Sequence, residues 1–306
     1  MGKVINVKKI IKVETKEPVI LQCTDLVFSQ KPYWCNATRV PLKMSILHQR
    51  AFFEYDEKPS LQPCILWITG GGWTEVDQNV WLPELSYYAK KGYVVASVSY
   101  SLPATWFFPE MLMDVKQAIR YLRAHAGEWN IDPDRIAVMG ESAGGHLASL
   151  VAATGDRKEF EKGEYLEESS AVQAAVIFYG AVDMMNFEGR ESLDSYDEKE
   201  QFLLRGKLEP QSVAAGVNHL RHEKAMGEKM DPRYYITKDA PPFLLLHGTK
   251  DTQVPVFHSE ILYEKLEKEG VPAEFVLIDG VDHADAAFSQ PEVKDLILDY
   301  LDRTLK

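Results

Sequence analysis

The sequence predicts an α/β fold, with a mostly parallel central sheet flanked by helices. Three observations carry this. Short β-branched runs alternate with helix-period segments through the middle of the chain, the pattern of successive βα units. The runs are almost wholly apolar, as strands covered on both faces are. Several of them end in glycine-rich turns, where a strand passes into a loop or helix. With 306 residues, 45% of them apolar, the chain can fill one large core, and residues 1–306 are read as a single domain with an insertion.

The elements follow in order. Leu42 to His48 alternates in polarity and reads as an antiparallel edge strand, while residues 1 to about 40 are expected to pack outside the sheet. Cys64 to Ile68 is a buried strand, and Tyr93 to Val98 the next. Leu112, Val115, Ile119 and Leu122 set the apolar stripe of a helix over Glu110 to His125. Ile131 to Arg135 reads as a turn before the strand Ile136 to Met139, with a helix from Ala143 to Ala153. Val172–Tyr179, Pro242–His247 and Ala273–Ile278 are further strands, and 257–269 and 291–305 are helices. Met184 to Ala240 is too long and too charged for a βα connection. It reads as an insertion folded over the sheet edge.

Charge and cysteines exclude several classes. A net charge of −12 argues against nucleic acid and anionic membrane as partners. Cys23, Cys35 and Cys64 fit no zinc spacing and read as thiols of a reducing compartment. The first residues lack a signal-peptide apolar core, Asn6 stands where a myristoylation motif needs Ser or Thr, and no run could span a bilayer. The expectation is a cytoplasmic protein without metal or cofactor, with a homodimer left open.

Gly140-Glu141-Ser142-Ala143-Gly144 has the form G-x-S-x-G between a strand and a helix, the setting of a nucleophilic serine on a strained turn. Thr69-Gly70-Gly71-Gly72-Trp73 follows another strand. Three glycines in a row lose much backbone entropy on folding, which is explained if backbone N–H groups must approach a substrate anion. The N–H of Gly71 or Gly72, with that of Ala143, is the expected oxyanion hole. A phosphate cradle is disfavoured, because no G-K-[ST] follows. Asp251 and His283 lie in loops after the last two strands, completing the order Ser, Asp, His. Loops after parallel strands meet along one sheet edge, so the three can converge.

The other histidines are weaker candidates. His146 and His247 read as packed or structural, His258 lies early in a helix, His219 and His222 fall in the insertion, and His48 and His125 have no evident partner. Asp183, Asp279, Asp282 and Asp285 compete with Asp251. No cluster has metal-ligand spacing.

Taken together, Gly-Gly-Gly-Trp, Gly-Glu-Ser-Ala-Gly-Gly-His, His-Gly-Thr-x-Asp-x-x-Val-Pro and Asp-His resemble the α/β-hydrolase carboxylesterases. The nearest groups are the hormone-sensitive-lipase-like, acetyl/feruloyl-esterase-like and kynurenine-formamidase-like enzymes. The resemblance covers about residues 60–180 and 240–305. It implies Ser142 as nucleophile, His283 as base, Asp251 as its orienting acid, an acyl-enzyme, and a cap formed by 184–240. Thr69 departs from the family's His-Gly-Gly-Gly loop, which weakens assignment to the lipase-like branch. Trp73, Glu141 and Trp106 are expected at the substrate, and Trp81, Phe107, Phe108, Tyr33 and Trp34 nearby. Short-chain acyl or hydroxycinnamoyl esters fit such a lining better than triglycerides. An amidase or formamidase with the same triad is the alternative. A non-catalytic receptor would lack His283, and a propeller-bearing peptidase would need a longer chain.

Overall fold

In the computed structural model of the protein the described residues are 8–33, 35–50, 60–102, 108–187 and 224–306. Their strands are β1 (Ile20–Tyr33), β2 (Thr38–Gln49), β3 (Gln62–Ile68), β4 (Val94–Val98), β5 (Ile131–Glu141), β6 (Ala174–Phe178), β7 (Phe243–Gly248) and β8 (Ala273–Ile278). Their helices are α1 (Leu82–Lys90), α2 (Glu110–Ala124), α3 (Ala126–Trp129), α4 (Ala143–Thr154), α5 (Lys224–Lys229), α6 (Phe257–Glu269) and α7 (Pro291–Leu305).

One sheet joins the strands in the order β1-β2-β4-β3-β5-β6-β7-β8. From β4 to β8 all pairings are parallel, whereas β2 pairs antiparallel with both β1 and β4. Alternate strand residues face opposite layers. Leu66, Val138, Ile177 and Leu245 pack with residues of α2, α4 and α6. Ile65, Met139, Val176 and Leu244 pack with residues of α1 and α7. Both faces of the parallel strands are therefore covered, which is why these segments lack polar alternation.

Three expectations are corrected. The edge strand is β1, and the segment around Leu42 to His48 is the second strand inward. Residues 20–33 thus belong to the sheet, because pairing with β2 satisfies backbone groups that would otherwise stay open. Ile131 to Arg135 is the first part of β5: Ile131 pairs with Gln62 before a register shift resumes pairing at Cys64 and Ile136. Helix α2 also buries more than its apolar stripe. Lys116 and Arg120 are wholly enclosed, both paired with Glu161. Arg120 also donates to the carbonyls of Lys162 (2.5 Å) and Glu164 (3.1 Å). Buried cations persist only when so paired. Among the described residues no helix is long and apolar enough to cross a membrane.

Candidate active site

The turn between β5 and α4 carries Ser142, at φ 54° and ψ −121°. Positive φ in a residue with a side chain costs energy and is held here by its surroundings. Side chains at Gly140 or Gly144 would run into the carbonyls of Gly144 and Ile68. A Cβ at Gly145 would lie 2.9 Å from both Gly180 Cα and the Phe178 carbonyl. The three glycines thus let the turn pack against β3 and β6, while the Ser142 N–H donates to the Phe178 carbonyl (3.0 Å).

His283 reaches this serine. Its Nε2 lies 3.0 Å from Ser142 Oγ and its Nδ1 2.7 Å from Asp251 Oδ2. A carboxylate accepts, so Nδ1 carries the proton and the Nε2 lone pair faces the hydroxyl. The Asp251 carboxylate is fully enclosed. Its Oδ1 accepts from the N–H groups of Gln253 (2.9 Å) and Val254 (2.8 Å). Burial alone would raise its pKa, but hydrogen bonds from His247 and His283 and the Val254 N–H hold it far below the usual carboxylate range.

The two loops are laced together. The Lys250 N–H donates to the Val281 carbonyl (3.0 Å). Asp282 accepts from the Thr252 N–H (2.8 Å), the Thr252 hydroxyl (2.9 Å) and the His283 N–H (2.7 Å). The competing acids are engaged elsewhere. Asp279 accepts from the Thr249 hydroxyl, Asp285 caps a short turn at Ala287, and Asp183 pairs with Arg233 at 2.9 Å. Tyr179, just beyond β6, was not singled out by its sequence context. Its ring stands edge-on to His283 at 4.6 Å, with φ 36°.

The start of the glycine loop packs against the turn that carries Ser142, Gly144 lying against Ile68 and Thr69. Gly71, Gly72 and Trp73 all have positive φ (121°, 57° and 58°), backbone that glycine adopts at least cost. The Gly71 carbonyl accepts from the Thr74 N–H (3.0 Å), and the Tyr100 hydroxyl donates to the Thr69 carbonyl (2.9 Å). The N–H groups of Gly71 and Gly72 meet no acceptor among the described residues. That of Ala143 opens α4 and so has no partner within the helix.

Two residues expected at the substrate, Trp73 and Glu141, are buried. Trp73 is 2% exposed, its ring 5.4 Å from that of His146, because its left-handed backbone turns the indole under the loop. Glu141 is also buried. Its Oε1 accepts from the Gly70 N–H (2.5 Å) and from the Trp81 indole (3.2 Å), so it braces the loop. Burial pushes its carboxyl pKa up against these bonds. Trp106, with Trp34, Phe107, His219 and His222, lies outside the described residues. A cavity of about 40 Å³ lies beside Glu141, walled by Trp67, Trp81, Tyr179 and Phe288.

The remaining histidines have structural partners. His146 Nε2 donates to the Met230 carbonyl (2.7 Å). His258 Nε2 donates to the Phe187 carbonyl (2.7 Å), while its Nδ1 accepts from the N–H groups of Val182 and Asp183. His125 pairs with Glu128, and His48 stands edge-on to Trp129. Among the described residues no group of His, Cys, Asp and Glu could hold a metal ion.

The chain is similar to proteins of related architecture. It is 32% identical to the "Probable carboxylic ester hydrolase LipM" of Mycobacterium tuberculosis, over 67% of this chain and 45% of that protein. It is 31% identical to "Esterase LipQ" of the same organism, over 68% of this chain and 46% of the other. The chain thus spans about half the length of the curated relatives it matches. Among solved structures, a "Truncated form of carbohydrate esterase from gut microbiota" superposes with TM-score 0.75 at 23% identity, covering 93% of this chain and 96% of that one. An "acetyl ester-xyloside bifunctional hydrolase from Caldicellulosiruptor lactoaceticus" gives 0.71 at 22%, covering 91% and 95%. The BD-FAE family model matches residues 52–266. That match spans well over half of the chain, and with the sheet order it settles the assignment: this is a member of the BD-FAE family with the α/β-hydrolase fold.

Proposed function

We propose that the protein is a serine carboxylic-ester hydrolase acting on small esters, with Ser142 as nucleophile, His283 as base and Asp251 as the group that orients the base. The observation that carries this reading is the unbroken line Ser142 Oγ–His283–Asp251, at 3.0 and 2.7 Å; the Gly71 and Gly72 N–H groups, with no acceptor among the described residues, support it. His283 takes the hydroxyl proton as Ser142 attacks the ester carbonyl. The N–H groups of Gly71 or Gly72 and Ala143 receive the oxyanion. The imidazolium then protonates the departing alcohol and leaves an acyl-Ser142. Water activated by His283 attacks the acyl carbon, and release of the acid restores Ser142. The buried carboxylate of Asp251 fixes the tautomer and stabilises the imidazolium.

The same reading gives residues 184–240 the role of a cap. Support comes from its two described ends, held at Phe187 by His258 and at Met230 by His146, which lies one turn after Ser142. Short acyl groups, acetyl above all, and hydroxycinnamoyl groups are the proposed substrates. The names of the similar proteins support ester chemistry, and that of one solved structure acetyl esters. The test is a fluorophosphonate probe with hydrolysis of acetyl to dodecanoyl, feruloyl and acetyl-sugar esters, using Ser142→Ala as control. Labelling and turnover that both vanish in Ser142→Ala are expected. A wild-type protein that neither labels nor turns over any ester would end this reading.

A further inference from the structure

Asp251 serves two imidazoles. His247 is fully buried, and its Nε2 lies 2.8 Å from the Val254 carbonyl and 3.3 Å from Asp251 Oδ2, the oxygen that also accepts from His283. The Val254 carbonyl can only accept, so Nε2 carries the proton, shared between that carbonyl and the carboxylate. The Nδ1 lone pair then accepts the Ser259 hydroxyl at 2.7 Å. Ser259 is itself buried, in the first turn of α6. Every polar atom of His247 is thus committed, and its tautomer is fixed without any contact to the cleft.

Resting on the proposed reaction, we infer that His247, oriented by Ser259, is a positioning residue that lowers the basicity of His283 through their common carboxylate oxygen. A hydrogen-bond donor on Oδ2 draws charge away from the bond to His283 Nδ1. That weakens the carboxylate's hold on an imidazolium. The hydroxyl of Ser259, donating into Nδ1, strengthens the Nε2 donor by polarising the ring. Other groups face this pair and stay constant in the test. Asp282 precedes His283 and binds its backbone N–H rather than its ring. The buried Glu141 acts on His283 across the turn, Tyr179 lies against both rings, and His258 lies near His247.

The test measures the low-field Nδ1 proton and the ring titration of His283 by NMR, beside the pH dependence of kcat/KM, in wild type, His247→Leu, His247→Gln and Ser259→Ala. In His247→Leu the His283 pKa and the acid limb should both move up by about half to one pH unit, the size of a long, shared hydrogen bond to a charged group. At neutral pH kcat should fall by about threefold, and by no more than the three- to tenfold that half to one pH unit allows, with KM unchanged. His247→Gln, which keeps a donor near the Nε2 position, should restore most of the wild-type titration, and a merely structural role would not produce that rescue. Ser259→Ala should shift the titration in the same direction by less, and it carries the test if His247→Leu does not fold. Unchanged titration in folded His247→Leu, or in Ser259→Ala where the His247→Leu variant cannot be obtained, overturns the inference. Equal shifts in the His247→Leu and His247→Gln variants also overturn it. The NMR titration needs no turnover, so an inactive wild type would end the ester reading while leaving this result readable.

Discussion

Replacing Glu141 by alanine isolates what holds the glycine loop. In the wild type the buried carboxylate accepts from the Gly70 N–H at 2.5 Å and the Trp81 indole at 3.2 Å. Alanine leaves both donors without that acceptor, and each unsatisfied buried donor costs about 1–3 kcal/mol. Against this stands relief of the charge's own burial, which keeps the Glu141 pKa raised. The net destabilisation is therefore about 2–3 kcal/mol, or a Tm lower by roughly 5 °C in a chain this long. The larger effect falls on catalysis. Gly70 adjoins Gly71 and Gly72, and losing one aligned oxyanion donor costs about 10²–10³ in rate. Glu141→Gln keeps an uncharged acceptor and should recover most of kcat, with a Tm no lower than wild type. Differential scanning calorimetry and kcat/KM on a short-chain ester test this. A folded Glu141→Ala variant with kcat/KM within about twofold of wild type would refute the bracing role. The sign of the pH effect follows from the raised pKa. The folded protein binds the Glu141 proton more tightly, so the cost of ionising it is present above the folded pKa and disappears as pH falls through it.

Other outcomes follow from the same geometry. Asp251→Asn should lower kcat by about 10³–10⁴ with little change in KM, since the amide favours the wrong tautomer of His283; steady-state kinetics would show it. Gly144→Ala, whose Cβ would strike the Ile68 carbonyl, should fold poorly or lose fluorophosphonate labelling, both visible on a gel. Burial holds His146 down to about 4 and His258 to about 3, against an ordinary 6.5. Their stabilising neutral forms are complete above about pH 6.5. As pH falls below that, each should cost about 1.4 kcal/mol per pH unit until its folded pKa is reached. Chemical denaturation between pH 7 and 5 would show this slope, and His258→Asn should flatten it. Ser142→Ala should keep the wild-type melting temperature or exceed it, if the hydroxyl is placed for the proposed reaction rather than for stability.

Some of this was legible in the residues alone. Period and composition marked β3, β4, β6, β7 and β8 and the helices α2, α4, α6 and α7 to within a few residues, because strands covered on both faces must be continuously apolar; α1 and α3 were not marked, and β5 begins five residues before the strand expected there. The G-x-S-x-G turn, the glycine loop and the order Ser142, Asp251, His283 were legible because a strand-end loop needs particular residues to make its turn. What the tertiary structure alone decided lies in long-range pairing. The antiparallel addition of β1 depends on partners in β2, not on its own mixed pattern of exposure. The enclosure of Lys116 and Arg120 depends on Glu161, some forty residues away. The burial of Trp73 and Glu141, both expected at the substrate, was not legible in the sequence. A positive φ turns one under the loop, and the Gly70 N–H claims the other. Tyr179 had no sequence signal, and His247 read only as structural, for the same reason. Their effect on Asp251 and His283 exists only once separate strand ends stand side by side, and local sequence specifies a turn far better than it specifies what the turn will face.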